Sequence, residues 1–186
     1  MAERFPELAP AQWDAEQRKV AETLTKGPRG AVRGPYVPLI YSPELAERMR
    51  HLGDFIRFAG VLPPRVKEIV IFTVGRHWSA EYMFGIHRQM SQEVGIEPAL
   101  IDAIAAGRRP EQLTPPESAA YDAARELLRV ARLSDATFAA LKEHFGAKGA
   151  IELVSFVGYY TTLAMVLNTA DIAPPDGTSP LPKLGR

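Results

Sequence analysis

The chain contains no cysteine. That excludes disulfides, thiolate nucleophiles, dithiol redox chemistry and cysteine-ligated metals. Charge of one sign is also missing: Lys+Arg and Asp+Glu number 22 each, so no electrostatic argument favours nucleic acid or an anionic membrane as partner. The opening residues, MAERFPELAPAQWD, hold no apolar run of the kind a secretory leader needs, and the expected compartment is the cytoplasm. No segment alternates apolar and polar residues as a half-buried strand does, and there is no glycine-rich phosphate loop or internal repeat. One stretch, Leu153–Ala170, runs eighteen residues without a charge. A spanning helix needs about 20 predominantly apolar residues. This run is diluted by Ser155, Gly158, Thr161, Thr162, Asn168 and Thr169, so it reads as a helix of the core or of a subunit interface.

What is present is helical periodicity. A length of 186 residues suits one domain, and 46% hydrophobic against 24% charged residues is enough to build a core. The expected fold is all-α: a compact multi-helix bundle with a central antiparallel helix hairpin. Residues 1–42 form an amphipathic helix (Ala11–Lys26, anchored by Trp13, Val20 and Leu24) and an ordered Pro/Gly-rich loop, Gly27–Tyr41, of the same domain. Residues 43–170 form the helical domain proper, and 171–186 a proline-rich tail. Ser42-Pro43-Glu44 is a helix start, with that helix running to about Phe58. Pro63 or Pro64 opens the next. A break falls near Gly75–Ser79, where Ser79 is expected to cap a helix ending by Gly95. Further helices are expected at Glu97–Ala106, Pro116–Arg132, Asp135–Phe145 and Ala147–Thr169.

The segment EIVIFTVGRHWSAEYMFGIH, Glu68 to His87, carries the chemistry. If it folds back as a hairpin, its midpoint falls between His77 and Trp78, and Glu68 and His87 lie equally far from it. At about 1.5 Å rise per residue both sit roughly 14 Å from the turn, at one level on adjacent helices. A carboxylate facing an imidazole fixes its tautomer and supports its charged form, which makes an acid/base pair. The same spacing also describes a satisfied structural ion pair, the commoner use of such residues. Glu68, His77 and His87 match no familiar metal-ligand spacing, so no metal or other cofactor is expected. His51 and His144 carry no motif, and Tyr159, Tyr160 and Asn168 read first as satisfied core groups.

The run LPPRVKEIVIFTVGRHWSAEYMFGIHRQMSQEVGI resembles the core of the carboxymuconolactone decarboxylase family, which also holds the alkyl hydroperoxidase D proteins. The likeness covers about Pro43 to Leu167: a proline-led helix, an aromatic before a small-residue turn, and a helix bearing histidine. The redox branch of that family uses a glutamate, a CxxC and a histidine four residues on. Glu68 and His87 match the first and last. The cysteine positions fall on Ala80 and Met83, neither of which forms a thiolate, so thiol peroxidase activity is excluded.

The resemblance implies instead a possible decarboxylase, a cofactor-free lyase or related acid/base enzyme acting on a small carboxylated or lactone-like molecule. His87 would be the general acid/base and Glu68 its orienting partner. Arg76, His77 and Arg88 are candidates for docking a carboxylate, Tyr82 for donating a hydrogen bond, and Met83 for the pocket wall. The alternative is a catalytically silent oligomeric binding protein that kept the fold. A homo-oligomer is expected, trimer or hexamer by resemblance and a dimer possible, with neither nucleic acid nor membrane as partner.

Overall fold

The computed structural model describes residues 4–175, 178 and 180–183. The expected stretches 1–42 and 171–186 therefore extend at their outer ends into residues outside this set. The described residues form eight α-helices in order: α1 (Ala15–Lys26), α2 (Tyr36–Leu39), α3 (Pro43–Asp54), α4 (Pro64–His77), α5 (Glu81–Met90), α6 (Pro98–Ala105), α7 (Pro115–Val130) and α8 (Asp135–Ala170). The described residues form no strand.

The helix starts follow from capping chemistry. Asp14 accepts from the Gln17 amide at 2.8 Å while Gln17 returns the bond to the Asp14 amide at 3.0 Å, which opens α1. Proline stands in the first turn of α3, α4, α6 and α7, where its missing N–H is no loss. Gly146, at φ +65°, breaks α8 at the place where two separate helices were expected.

α4 is the axis of the molecule. Every residue from Val66 to Arg76 is buried, and α4 packs against α5, α6, α7 and α8. One face joins Val70, Leu141, Leu153 and Phe156 in the larger core. The opposite face carries Ile69 and Phe72 into a second core with Phe84, Leu100, Ile104 and Tyr121. Phe72 and Phe84 meet at 4.9 Å between ring centroids, which locks α5 against α4. The long uncharged run of α8 is long and apolar enough to cross a membrane by composition, but half of that window is buried within the bundle.

Three local features differ from expectation. Residue Ser79 does not cap α5: it sits at φ +49°, and Ala80 takes the N-cap position. The reason is the close of α4. Ser79 N bonds Arg76 O at 3.2 Å and Ala80 N bonds Gly75 O at 2.8 Å, a double closure that requires the left-handed conformation at residue 79. Secondly, α3 does not run on as an α-helix to Phe58. Residues Phe55–Ala59 form a π-turn closed by Gly60 N to Phe55 O at 2.7 Å. Thirdly, the expected Gly27–Tyr41 loop contains the short helix α2.

Between α4 and α7 a buried carboxylate ties the fold. Glu117, 4% exposed, accepts from Arg65 Nε at 2.7 Å and from the Thr114 amide at 2.9 Å. Burial pushes the Glu117 carboxyl up, but the Arg65 and Thr114 bonds outweigh it, and it lies below the usual carboxylate range. Such a group contributes stability above its unfolded pKa and loses it as pH falls through the lower folded value. Glu117→Gln should lower stability at neutral pH by about 1–3 kcal/mol, read as a lower urea midpoint, and flatten the loss of stability on acidification. Urea titrations of both proteins from neutral to acid pH measure this; parallel curves would remove Glu117 from the acid response.

Candidate active site

The double closure at the end of α4 sets the register of the α4–α5 hairpin, and the aligned level is where the acid and the imidazole meet. Glu68 Oε2 and His87 Nδ1 are 2.7 Å apart, with the two residues 8% and 5% exposed. A carboxylate accepts, so Nδ1–H is the donor, and the neutral ring then carries its free lone pair on Nε2. No described residue hydrogen-bonds that nitrogen, and His87 lines a cavity of about 190 Å³. Tyr160 closes the ring from the side, edge-on at 5.9 Å, and is itself stacked on Phe156 at 4.7 Å. Burial pushes the Tyr160 phenol up, so it stays protonated.

Arg57 enters the same cavity from the π-turn. Its Nη2 is 3.9 Å from Glu68 Oε1 and 3.6 Å from the Met90 sulfur. The wider π-turn frees backbone carbonyls, and Lys67 supplies a donor for them: its Nζ bonds Arg57 O at 2.8 Å and reaches Gly60 O at 3.5 Å. On the far side of the turn Glu152 Oε2 accepts from the Val61 amide at 2.7 Å. Arg57 is thus held at its own backbone by a buried ammonium, 7% exposed.

The N-terminal segment forms the remaining wall. Arg29 is fixed by Asp54 at 2.8 Å and lies over the Tyr36 ring at 5.0 Å. Tyr36 and Tyr159 bring buried hydroxyls close to one another, and burial pushes both phenols up. Gly53 makes room for that arrangement, since a Cβ there would lie 2.1 Å from the Tyr159 hydroxyl. Arg33 also lines the cavity, so three arginines and no carboxylate face it, with Asp54 beside Arg29 and Glu68 near Arg57 just behind the wall. Its volume suits one small ring and not a nucleotide.

Of the residues singled out in the sequence, His87, Tyr82 and Met83 line this cavity, and Glu68 stands directly behind His87. Arg76, His77 and Arg88 do not. Arg76 and His77 lie at the α4 C-terminus, more than two helical turns beyond Glu68, and face a separate cleft. Arg88 leaves the site to pair with Asp102 on α6. The arginines that do reach the cavity, Arg29, Arg33 and Arg57, gave no signal in the sequence. Two come from a loop far away in the chain, and the third depends on a π-turn that helical periodicity does not reveal. Tyr159 and Tyr160, read first as core groups, line the cavity as well. Among the described residues no group of three or more His, Asp or Glu side chains is placed to hold a metal.

No protein-family model matches the sequence, and no curated protein matches it. Solved structures do. A peroxidase-related protein from Ralstonia eutropha, described as an alkylhydroperoxidase AhpD core, superposes with TM-score 0.77 at 19% identity, covering 93% of this chain and 92% of its own. A peroxidase-related protein from Silicibacter sp. gives 0.77 at 16%, covering 93% and 91%. A cysteine-to-alanine variant of the debrominase Bmp8, in complex with 2,3,4-tribromopyrrole, gives 0.69 at 17%, covering 95% and 94%. The fold is AhpD-like. Within that AhpD-like fold this chain has no cysteine, and what the α4–α5 hairpin brings together is a carboxylate and an imidazole.

If Lys67 holds the π-turn, Lys67→Met should cost about 1–3 kcal/mol, because the Arg57 and Gly60 carbonyls lose their buried donor. Hydrogen exchange should then quicken over residues 55–61 with α7 unaffected. Unchanged exchange in that stretch would mean that the turn stands without the lysine.

Proposed function

We propose that the protein is a cofactor-free acid/base enzyme of the lyase type, acting on a small carboxylated or lactone-like molecule in the His87 cavity. The observation that carries this reading is the Glu68–His87 pair at 2.7 Å, with the second ring nitrogen unpartnered among the described residues at the wall of an arginine-lined cavity. A purely structural ion pair has no need of a void beside it. The AhpD-like debrominase in complex with 2,3,4-tribromopyrrole lends support, since that protein takes a small planar ring.

In the proposed reaction Arg57 and Arg29 hold the substrate's polar end by charge. The carboxylate to be lost lies against Met83, Ile86 and Leu163, where poor solvation favours departure of neutral carbon dioxide. As the C–C bond breaks, its electron pair delocalises onto the lactone carbonyl. Tyr160, kept protonated by burial, is suited to donate to that oxygen. His87, having taken a proton from solvent on Nε2, delivers it to carbon, and solvent then reprotonates the ring. Glu68 stabilises the charged ring and fixes its tautomer throughout.

The test is a screen of lactones and keto acids read by evolved carbon dioxide, followed by two substitutions. His87→Gln keeps a donor for Glu68 but cannot shuttle a proton. It should lower kcat on the order of 10²–10⁴-fold while leaving the melting temperature close to that of the parent. Glu68→Gln should lower kcat less. Turnover that survives in His87→Gln would overturn the assignment, and a null screen with ligand binding retained would favour a silent binding protein.

We also infer a homo-oligomer, a trimer or hexamer being the expected form. Phe55, Phe58 and Val61 around the π-turn are 47%, 55% and 46% exposed, and Ile151 on α8 is 62% exposed. Phe58 lines the cavity as well, so a neighbouring subunit seated there would complete its mouth. Light scattering at micromolar concentration should give a multiple of 20.5 kDa; a monomer would count against the inference.

A further inference from the structure

A second concave site lies across α4 from His87. It is a cleft of about 850 Å³ between the C-terminal end of α4, α7 and residues 181–183. Four cations line it, Arg76, Arg125, Arg129 and Lys183, against one carboxylate, Glu81. The chain as a whole is neutral, and its ion pairs are widespread, yet none of these four cations forms a salt bridge among the described residues. Arg76 is the unusual member. It is 8% exposed, and its Nε and Nη1 are buried without a hydrogen-bond partner among the described residues. Burial pushes the Arg76 guanidinium down, and Glu81 opposes this only from a distance. A buried guanidinium left in that state is costly, and a counter-anion removes the cost.

We propose that this cleft is a binding site for a small, multiply charged oxyanion, a phosphate group, with Arg76 at its floor and Arg125 and Arg129 at its wall. Concavity favours a small ligand over a flat protein surface. The cleft exceeds the size of inorganic phosphate, and Ile104, Leu128 and Leu181 give it an apolar side, which suits a phosphate ester. Tyr121 orders the wall: its hydroxyl donates to Arg108 O at 3.3 Å and accepts from Arg125 Nη1 at 3.4 Å. The site is separate from the proposed acid/base cavity and does not depend on it.

Isothermal titration of the full-length protein with inorganic phosphate, and separately with phenyl phosphate, tests the assignment. Both should bind saturably at the same site. Tighter binding of phenyl phosphate identifies an ester as the ligand type; equal affinity identifies free phosphate, and either result supports the site. Arg76→Met should weaken binding at least tenfold. It should not unfold the protein, because replacing a buried unpaired charge by an apolar side chain of similar length is neutral or stabilising. Arg125→Met with Arg129→Met, both near the cleft wall, should weaken binding several-fold and guards against an indirect effect of the buried substitution. His87→Gln should leave phosphate affinity unchanged. Absence of saturable heat, or an Arg76→Met protein that binds like the parent, overturns the proposal. So does a parent that binds no phosphate but whose Arg76→Met form changes oligomeric state, which would assign the arginine to a partner copy's carboxylate.

Discussion

The buried contact between Glu68 and His87 constrains everything around it. Taking a carboxylate and an imidazole out of water costs several kcal/mol per ion once charged, and the cost is offset only while their geometry holds. Their two helices are therefore fixed in register. The double closure at the end of α4 fixes it along the chain, and the Phe72–Phe84 contact fixes it across the interface. A slip of one residue in the turn would carry His87 about 100° around its helix and separate the pair.

Because α4 is buried on every side, it divides the molecule into two cores and two concave sites. Glu68 and Arg76 stand on the same helix, yet one serves the His87 cavity and the other the basic cleft. In each case a charged group is kept in the interior by its surroundings, and the manner differs. Glu68 has an imidazole and, further off, a guanidinium. Arg76 has no close anion among the described residues, which is why an external one is the natural complement.

The fold does not dictate the chemistry. AhpD-like neighbours carry peroxidase-related descriptions, whereas this chain places alanine and methionine where the resembling family's redox members place their thiols. Ala80 is sealed in the core as the N-cap of α5, and Met83 is a wall of the cavity. What stands at the hairpin is the Glu68–His87 pair beside a cavity lined by three arginines.

The helices other than α2, their proline-led starts and the level pairing of Glu68 with His87 were legible in the sequence. They depend on local rules: a 3.6-residue period, fixed φ at proline, and a constant rise per residue that converts chain distance into height. The break at Gly146 was legible for the same reason, since glycine alone tolerates its backbone conformation cheaply. The cavity's arginines were not. Arg29 and Arg33 join the His87 cavity from more than fifty residues away, and Arg57 does so through a π-turn whose carbonyls are held by Lys67. Arg76 and Arg88, near His87 in sequence, were kept away by distance along α4 and by Asp102. Sequence determined which backbone forms and which side chains share a height. Tertiary packing alone decided which charges meet, because a cavity is bounded by whatever segments the cores bring together, irrespective of their order in the chain.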